Sequence, residues 1–377
     1  MSTQTRVPQG FRFGVATASL GMNPEHTLEL KFAALEKAGF NIVSVGFETY
    51  LDWVRQHNPD LPASTCPEGW GEGGEPDPSD DVLWEALYAS ADKLKALAAS
   101  HGLTIIAIQP LNQFDGWPTG HPRKEWSRGK AEKWLPLCSK FEIEMLQVGS
   151  NDKADASSDL DVYVEDMRWL AELGALQTPP VKIAYECWCF SRHVNSWEQT
   201  WEIVKAADHP NLGLCLDTAH FPLSPPYGYD PVTGTGFDDD SYQQMISRLR
   251  ALPGEKIFYV ELSDVVVPDP PLYKGSLFDE WARNNKPPRD GDRFIWTICG
   301  RPVPLVGRAA GSLTSDSAKS GARVIESLRA ILHTGFKGTI IFEMFEVEHM
   351  MPADKEIPAR YAAACAESQR QLIEACW

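Results

Sequence analysis

Apolar residues gather into eight short runs along the chain, at 11–18, 40–47, 103–110, 143–148, 181–187, 211–217, 256–262 and 338–344. These runs are strand-length and almost continuously apolar, as expected for strands buried on both faces. Between them the apolar positions switch to helical spacing. Leu28, Phe32, Leu35 and Ala38 recur on one face after Asn23-Pro24, which predicts a cap and a first helical turn, and Gly39 closes that helix. Further helices are predicted at 81–101 behind Asp80 or Asp81, within 124–140, at 160–173 with Gly174 as its C-cap, and at 197–207, 239–252, 318–334 and 355–375. Two stretches break the rhythm. Residues 56–80 and 265–316 are rich in Pro and Gly, and the alternation resumes after each. The pattern is α/β: eight strand–helix units in a single (β/α)8 barrel domain over 1–377, with insertions at about 56–80 and 265–316, after strands two and seven, covering its C-terminal face. A doubly wound open sheet is the competing topology. It is disfavoured because no Gly-rich dinucleotide fingerprint follows the first strand.

The chemistry stands out against this pattern. Runs five to eight each end on an acid: Glu186, Asp217, Glu261 and Glu343. In a (β/α)8 barrel the strand C-termini form the active face. Four carboxylates there repel one another and resist desolvation unless a cation joins them. All-oxygen donors favour a hard divalent ion, Mn, Mg or Co, over Zn. Any one strand-end acid is also explained by a salt bridge or a helix cap; the set of four on consecutive strands is what points to a metal. His220, three residues after Asp217, and His193, seven after Glu186, are candidates for proton transfer, with capping or packing as the plainer reading. Arg192 is a candidate for a substrate carboxylate and Trp188 for a pocket wall. His101 and His333 read as structural residues near helix ends, and His121 as a loop residue that could line the mouth. Cys187-x-Cys189 reads as a buried pair, and Asp238-Asp239-Asp240 as an acidic first helical turn.

Composition narrows the partners. With 52 acids against 35 bases the formal charge is -17, which argues against nucleic-acid or anionic-membrane binding and leaves a small-molecule substrate. No run approaches the roughly 18 apolar residues of a membrane helix, and the first residues lack a signal-peptide pattern. The eight cysteines form no paired framework, so a reducing cytoplasm is expected. The sequence leaves the oligomeric state open.

The segment Ala184-Tyr185-Glu186-Cys187-Trp188-Cys189-Phe190-Ser191-Arg192-His193, continuing to Val204, and the segment Asn211 to Thr218 resemble the fungal 3-dehydroshikimate dehydratases of the xylose-isomerase-like barrel superfamily. Ile108-Gln109-Pro110, residues 161–174, Phe258-Tyr259-Val260 and Phe342-Glu343-Met344-Phe345 extend the likeness. The resemblance implies a metal on Glu186, Asp217 and Glu343, His193 and His220 in the reaction, and Gln109 and Glu48 near the substrate. It implies a lyase that removes water from 3-dehydroshikimate through a metal-stabilised enolate. The alternatives are a metal-dependent isomerase or epimerase of a sugar or a secondary-metabolite ketone, and a non-catalytic metal-containing barrel. Three positions depart from the pattern. Strand seven carries Glu261 where the dehydratases usually have Gln and the epimerases His. Asn112-Gln113 stands where a histidine is usual, and Ser44 where an acid is common.

Overall fold

The computed structural model describes residues 6–224, 228, 230, 233, 236, 238–266, 277–285, 291–306 and 321–377. Eight parallel strands close in sequence order into a barrel: β1 (Arg12–Ala16), β2 (Ile42–Gly46), β3 (Thr104–Leu111), β4 (Met145–Gly149), β5 (Lys182–Glu186), β6 (Leu212–Asp217), β7 (Ile257–Leu262) and β8 (Thr339–Phe342). All eight expected strands are present. The chain divides into two compact halves, residues 1–42 with 216–377, and residues 43–215.

In the first half, β1 pairs with β8 from Arg12 opposite Thr339 to Val15 opposite Phe342, and β7 with β8 so that Glu261 lies opposite Ile341. The helices Leu28–Ala38 and Ile357–Cys376 lie side by side and bury Phe32, Leu35, Tyr361 and Leu372. The first of these starts later than the Asn23-Pro24 pair predicts. Thr27 caps it, its Oγ1 accepting from the Leu30 N–H at 3.5 Å, while the Asn23 N–H is engaged by His26 Nδ1 at 3.3 Å. Gly39 ends the helix in the left-handed region at φ 87°, where a side chain is strained. The expected helix 318–334 is Val324–His333; residues 318–320 lie outside the described residues. Within the second insertion, Leu277–Asn285 and Asp292–Cys299 are helical. Asp238 caps the helix Asp239–Arg250 through the Ser241 N–H at 2.8 Å, which accounts for the acidic triplet.

In the second half, β3 pairs with β4 and β4 with β5, and β5 pairs with β6 with Glu186 opposite Cys215. The helix Phe47–His57 is an addition to the sequence reading, and it follows directly on β2. Its Phe47 stacks on Trp134 with ring centroids 4.4 Å apart. The helix Pro122–Phe141 starts two residues before the expected span and ends one after it, with His121 as its N-cap. Gly174 sits inside the helix Leu160–Ala175 instead of capping it; a Cβ there would come within 2.5 Å of the Val181 carbonyl, so its smallness serves close packing of helix on strand. Asp80 occupies the cap position before Asp81–Ser100, but its carboxylate accepts from Thr65 and Asp77 instead and ties down the first insertion. That insertion is also held by a buried ion pair. Lys130 Nζ lies 3.2 Å from Glu75 Oε2, and Trp134 Nε1 donates to Glu75 Oε1 at 2.9 Å.

Candidate metal centre

The strand-end acids are placed by backbone pairing. In the first half, Asp217 ends β6, Glu261 is the second-last residue of β7, and Glu343 directly follows β8. The Thr218 N–H donates to the Glu261 carbonyl at 3.1 Å, and the Glu343 N–H to the Leu262 carbonyl at 3.0 Å, so three strand ends are stitched at one level. Asp217 and Glu261 are buried and Glu343 nearly so. Each offers a carboxylate oxygen within 4.8 Å of the others, a hard-oxygen set of the kind that holds a divalent ion.

His220 joins this group. It is 3% exposed, and its Nε2 lies 3.6 Å from Asp217 Oδ2. Burial pushes the imidazole pKa down to about 4, with Arg301 adding to that effect and Asp217 opposing it, so the ring is neutral at neutral pH. Burial also raises the Asp217 carboxyl above its ordinary range, against the pull of Arg301 and His220.

Arg301 was not singled out from the sequence. Its Nη2 donates to Asp217 Oδ2 at 2.6 Å, to Glu343 Oε2 at 3.1 Å and to the Glu343 carbonyl at 2.7 Å, and its Nε to Ser263 Oγ at 2.9 Å. It lies in the Pro- and Gly-rich second insertion, where no periodicity marks a residue that folds back.

In the second half, Glu186 ends β5, 2% exposed. Its Oε2 accepts from Trp188 Nε1 at 2.8 Å and from Gln147 Nε2 in a still shorter contact. The Trp188 indole lies over Gly149, the last residue of β4, so closely that a Cβ there would sit 2.1 Å from its ring. Trp188 therefore orients the carboxylate of Glu186. Gln147 was missed, although a lone polar residue in the apolar run Met145–Gly149 is the same signal that picked out the acids. Gln109 is buried and accepts from Ser44 Oγ at 2.5 Å.

The remaining expected residues lie on a loop and in a first helical turn. Arg192 is exposed on the loop after β5. His193 is half-buried on that loop, its carbonyl held by Gln199 Nε2 at 2.9 Å as part of the Ser196–Gln199 capping box. Glu48 lies in the first turn of Phe47–His57; desolvation, then Asp52 and Glu72, raise its carboxyl above the usual range. Glu72, from the first insertion, accepts from Asn112 Nδ2 at 2.9 Å and Gln113 Nε2 at 2.8 Å.

An eight-stranded (β/α)8 barrel with acids at the ends of β5 to β8 defines the class. A family model described as a xylose isomerase-like TIM barrel matches residues 32–298, and the chain belongs to that family. It is similar to a 3-dehydroshikimate dehydratase from Neurospora crassa, 26% identical over 375 residues, 96% of this chain and 94% of that one. A 3-dehydroshikimate dehydratase from Pseudomonas putida is 31% identical over 204 residues, which are 54% of this chain and only 27% of that protein. Among solved structures, a xylose isomerase-like TIM barrel/4-hydroxyphenylpyruvate dioxygenase fusion protein matches with TM-score 0.60 and 24% identity, over 95% of this chain and 42% of the fusion. The IOLI protein with a bound zinc atom matches with TM-score 0.59 and 16% identity, over 97% and 99%. These structures establish the fold.

Proposed function

We propose that the protein is a divalent-metal-dependent dehydratase acting on 3-dehydroshikimate or a closely related hydroxyketone acid. The observation that carries this reading is the end-to-end likeness to the Neurospora dehydratase, over 96% of this chain and 94% of that one. The buried oxygen donors support the metal. On this reading Glu186, Asp217, Glu261 and Glu343 hold the ion, and Mn, Mg or Co suits such donors better than Zn. The bound ion supplies a Lewis acid for the ketone oxygen. The protein's own residues must then move a proton and free a hydroxyl. Loss of water takes a proton from the carbon beside the ketone and the hydroxyl from the next carbon, and the ring rearranges to an aromatic acid.

His220 is the first choice for the proton. It is neutral, buried and adjacent to the acids, so it can accept a proton when negative charge develops beside it. His193 is the second candidate. Gln109, Trp188, Glu48 and Arg192 are assigned to the substrate side, with Trp188 acting mainly on Glu186. The chain is read as one cytoplasmic barrel domain acting on a small molecule, its insertions at about 56–80 and 265–316 covering the C-terminal face. Metal-loaded protein mixed with 3-dehydroshikimate should develop the ultraviolet band of the aromatic product. No band with Mn, Mg or Co sinks the dehydratase reading.

A further inference from the structure

Arg301 is bound too thoroughly to be an incidental salt bridge. The side chain is 3% exposed. Its backbone is fixed by two hydrogen bonds to Phe345, 3.0 Å from Arg301 N to the Phe345 carbonyl and 3.1 Å in the reverse direction, an isolated antiparallel bridge just beyond β8. Its guanidinium carbon stands 4.9 Å over the Phe345 ring. Four contacts then aim the positive charge at Asp217 and Glu343 and anchor it on Ser263 and the Glu343 carbonyl. These are two of the acids assigned above to a metal. Glu261, buried on the strand between them, adds a third carboxylate to the cluster.

We infer that Arg301 is a resident counter-cation of the acidic cluster, one that shares Asp217 and Glu343 with the divalent ion and thereby weakens its binding. The inference rests on the metal reading given above. Its logic is electrostatic. A buried acid cluster without any cation is strongly self-repelling, so a fixed guanidinium stabilises the metal-free protein. The same fixed charge repels an incoming dication and occupies carboxylate oxygens that the ion needs. The negative charge that Glu261 brings to the cluster and the positive charge of Arg301 therefore offset each other.

The test is Mn titration of the whole chain by calorimetry, on the wild type, Arg301→Gln and Arg301→Lys. Arg301→Gln should bind Mn on the order of tenfold more tightly or better, while its metal-free form melts at a lower temperature. Arg301→Lys keeps the charge and should stay within about threefold of the wild type. Equal or weaker Mn binding by Arg301→Gln, with Mn binding by the wild type intact, overturns the inference and leaves the metal reading standing. No Mn uptake by the wild type overturns both. Should Arg301→Gln fail to fold alone, Mn present during refolding should recover it; a variant still unfolded in saturating Mn refutes the counter-cation role.

Discussion

Substituting Gly149 by Ala tests how the carboxylate of Glu186 is aimed. The backbone at Gly149 tolerates a side chain, because its φ is not in the left-handed region; the obstacle is space. An added Cβ would lie 2.1 Å and 2.2 Å from two atoms of the Trp188 ring, far inside the roughly 3.5–4.0 Å at which carbon atoms rest. The ring must move by more than 1 Å, on the order of that shortfall. Trp188 Nε1 reaches Glu186 Oε2 at 2.8 Å, so a retreat of that size breaks the hydrogen bond. Overpacking costs about 1–3 kcal/mol and the lost bond to a charged acceptor about 1.5–3 kcal/mol, for a total of about 2.5–6 kcal/mol. Urea unfolding monitored by tryptophan fluorescence gives the stability. Calorimetric Mn titration should show binding weakened by about 10–100-fold, the usual effect of losing a group that orients a ligand. Wild-type stability together with wild-type Mn affinity in Gly149→Ala would show that neither the packing nor the orientation argument holds.

Three other outcomes follow from the geometry. Asp115 is fully buried; burial raises its carboxyl to about 7 even though Tyr185 Oη donates to Oδ2, and Oδ1 has no hydrogen-bond partner among the described residues. A folded pKa above the unfolded one gives stability that is complete below about pH 4 and is lost as pH rises through about 7. Relative to Asp115→Asn, the wild type should lose about 1.4 kcal/mol per pH unit across that window, and equal slopes in urea titrations at several pH values would dismiss the buried proton. Lys130→Met strands Glu75 in the interior without its cation and should cost about 3–5 kcal/mol in urea unfolding; a loss under about 1 kcal/mol would mean that the pair does not hold the first insertion. Glu186→Gln and Asp217→Asn should each reduce bound Mn, measured by elemental analysis after dialysis, and full stoichiometry in either variant removes that residue from the ligand set.

The frame was legible because buried parallel strands write themselves as continuous apolar runs. The acids showed because charge in such a run is costly and so conspicuous. The helix Phe47–His57 carried a readable signal, with Phe47, Tyr50, Leu51 and Val54 on one face, but it abuts β2 without a polar break and leads into a proline-rich stretch. Asn23-Pro24 looked like a helix start because local chemistry cannot tell a turn from a cap; Thr27 won by facing the first N–H groups. Arg301 could not be found locally. Its partners lie 38, 42 and 84 residues away, and only the returning chain brings them into reach.

The anchor of Arg301 also bears on how such a protein can change through descent. The residue is fastened to Phe345 by two main-chain bonds, and its neighbours Gly300 and Pro302 accept from the Val266 and Asp264 N–H groups. Segments farther along the insertion can lengthen, shorten or be replaced while these bonds keep the guanidinium at its station. Lineages can therefore remodel the rest of the insertion and still inherit that charge unaltered.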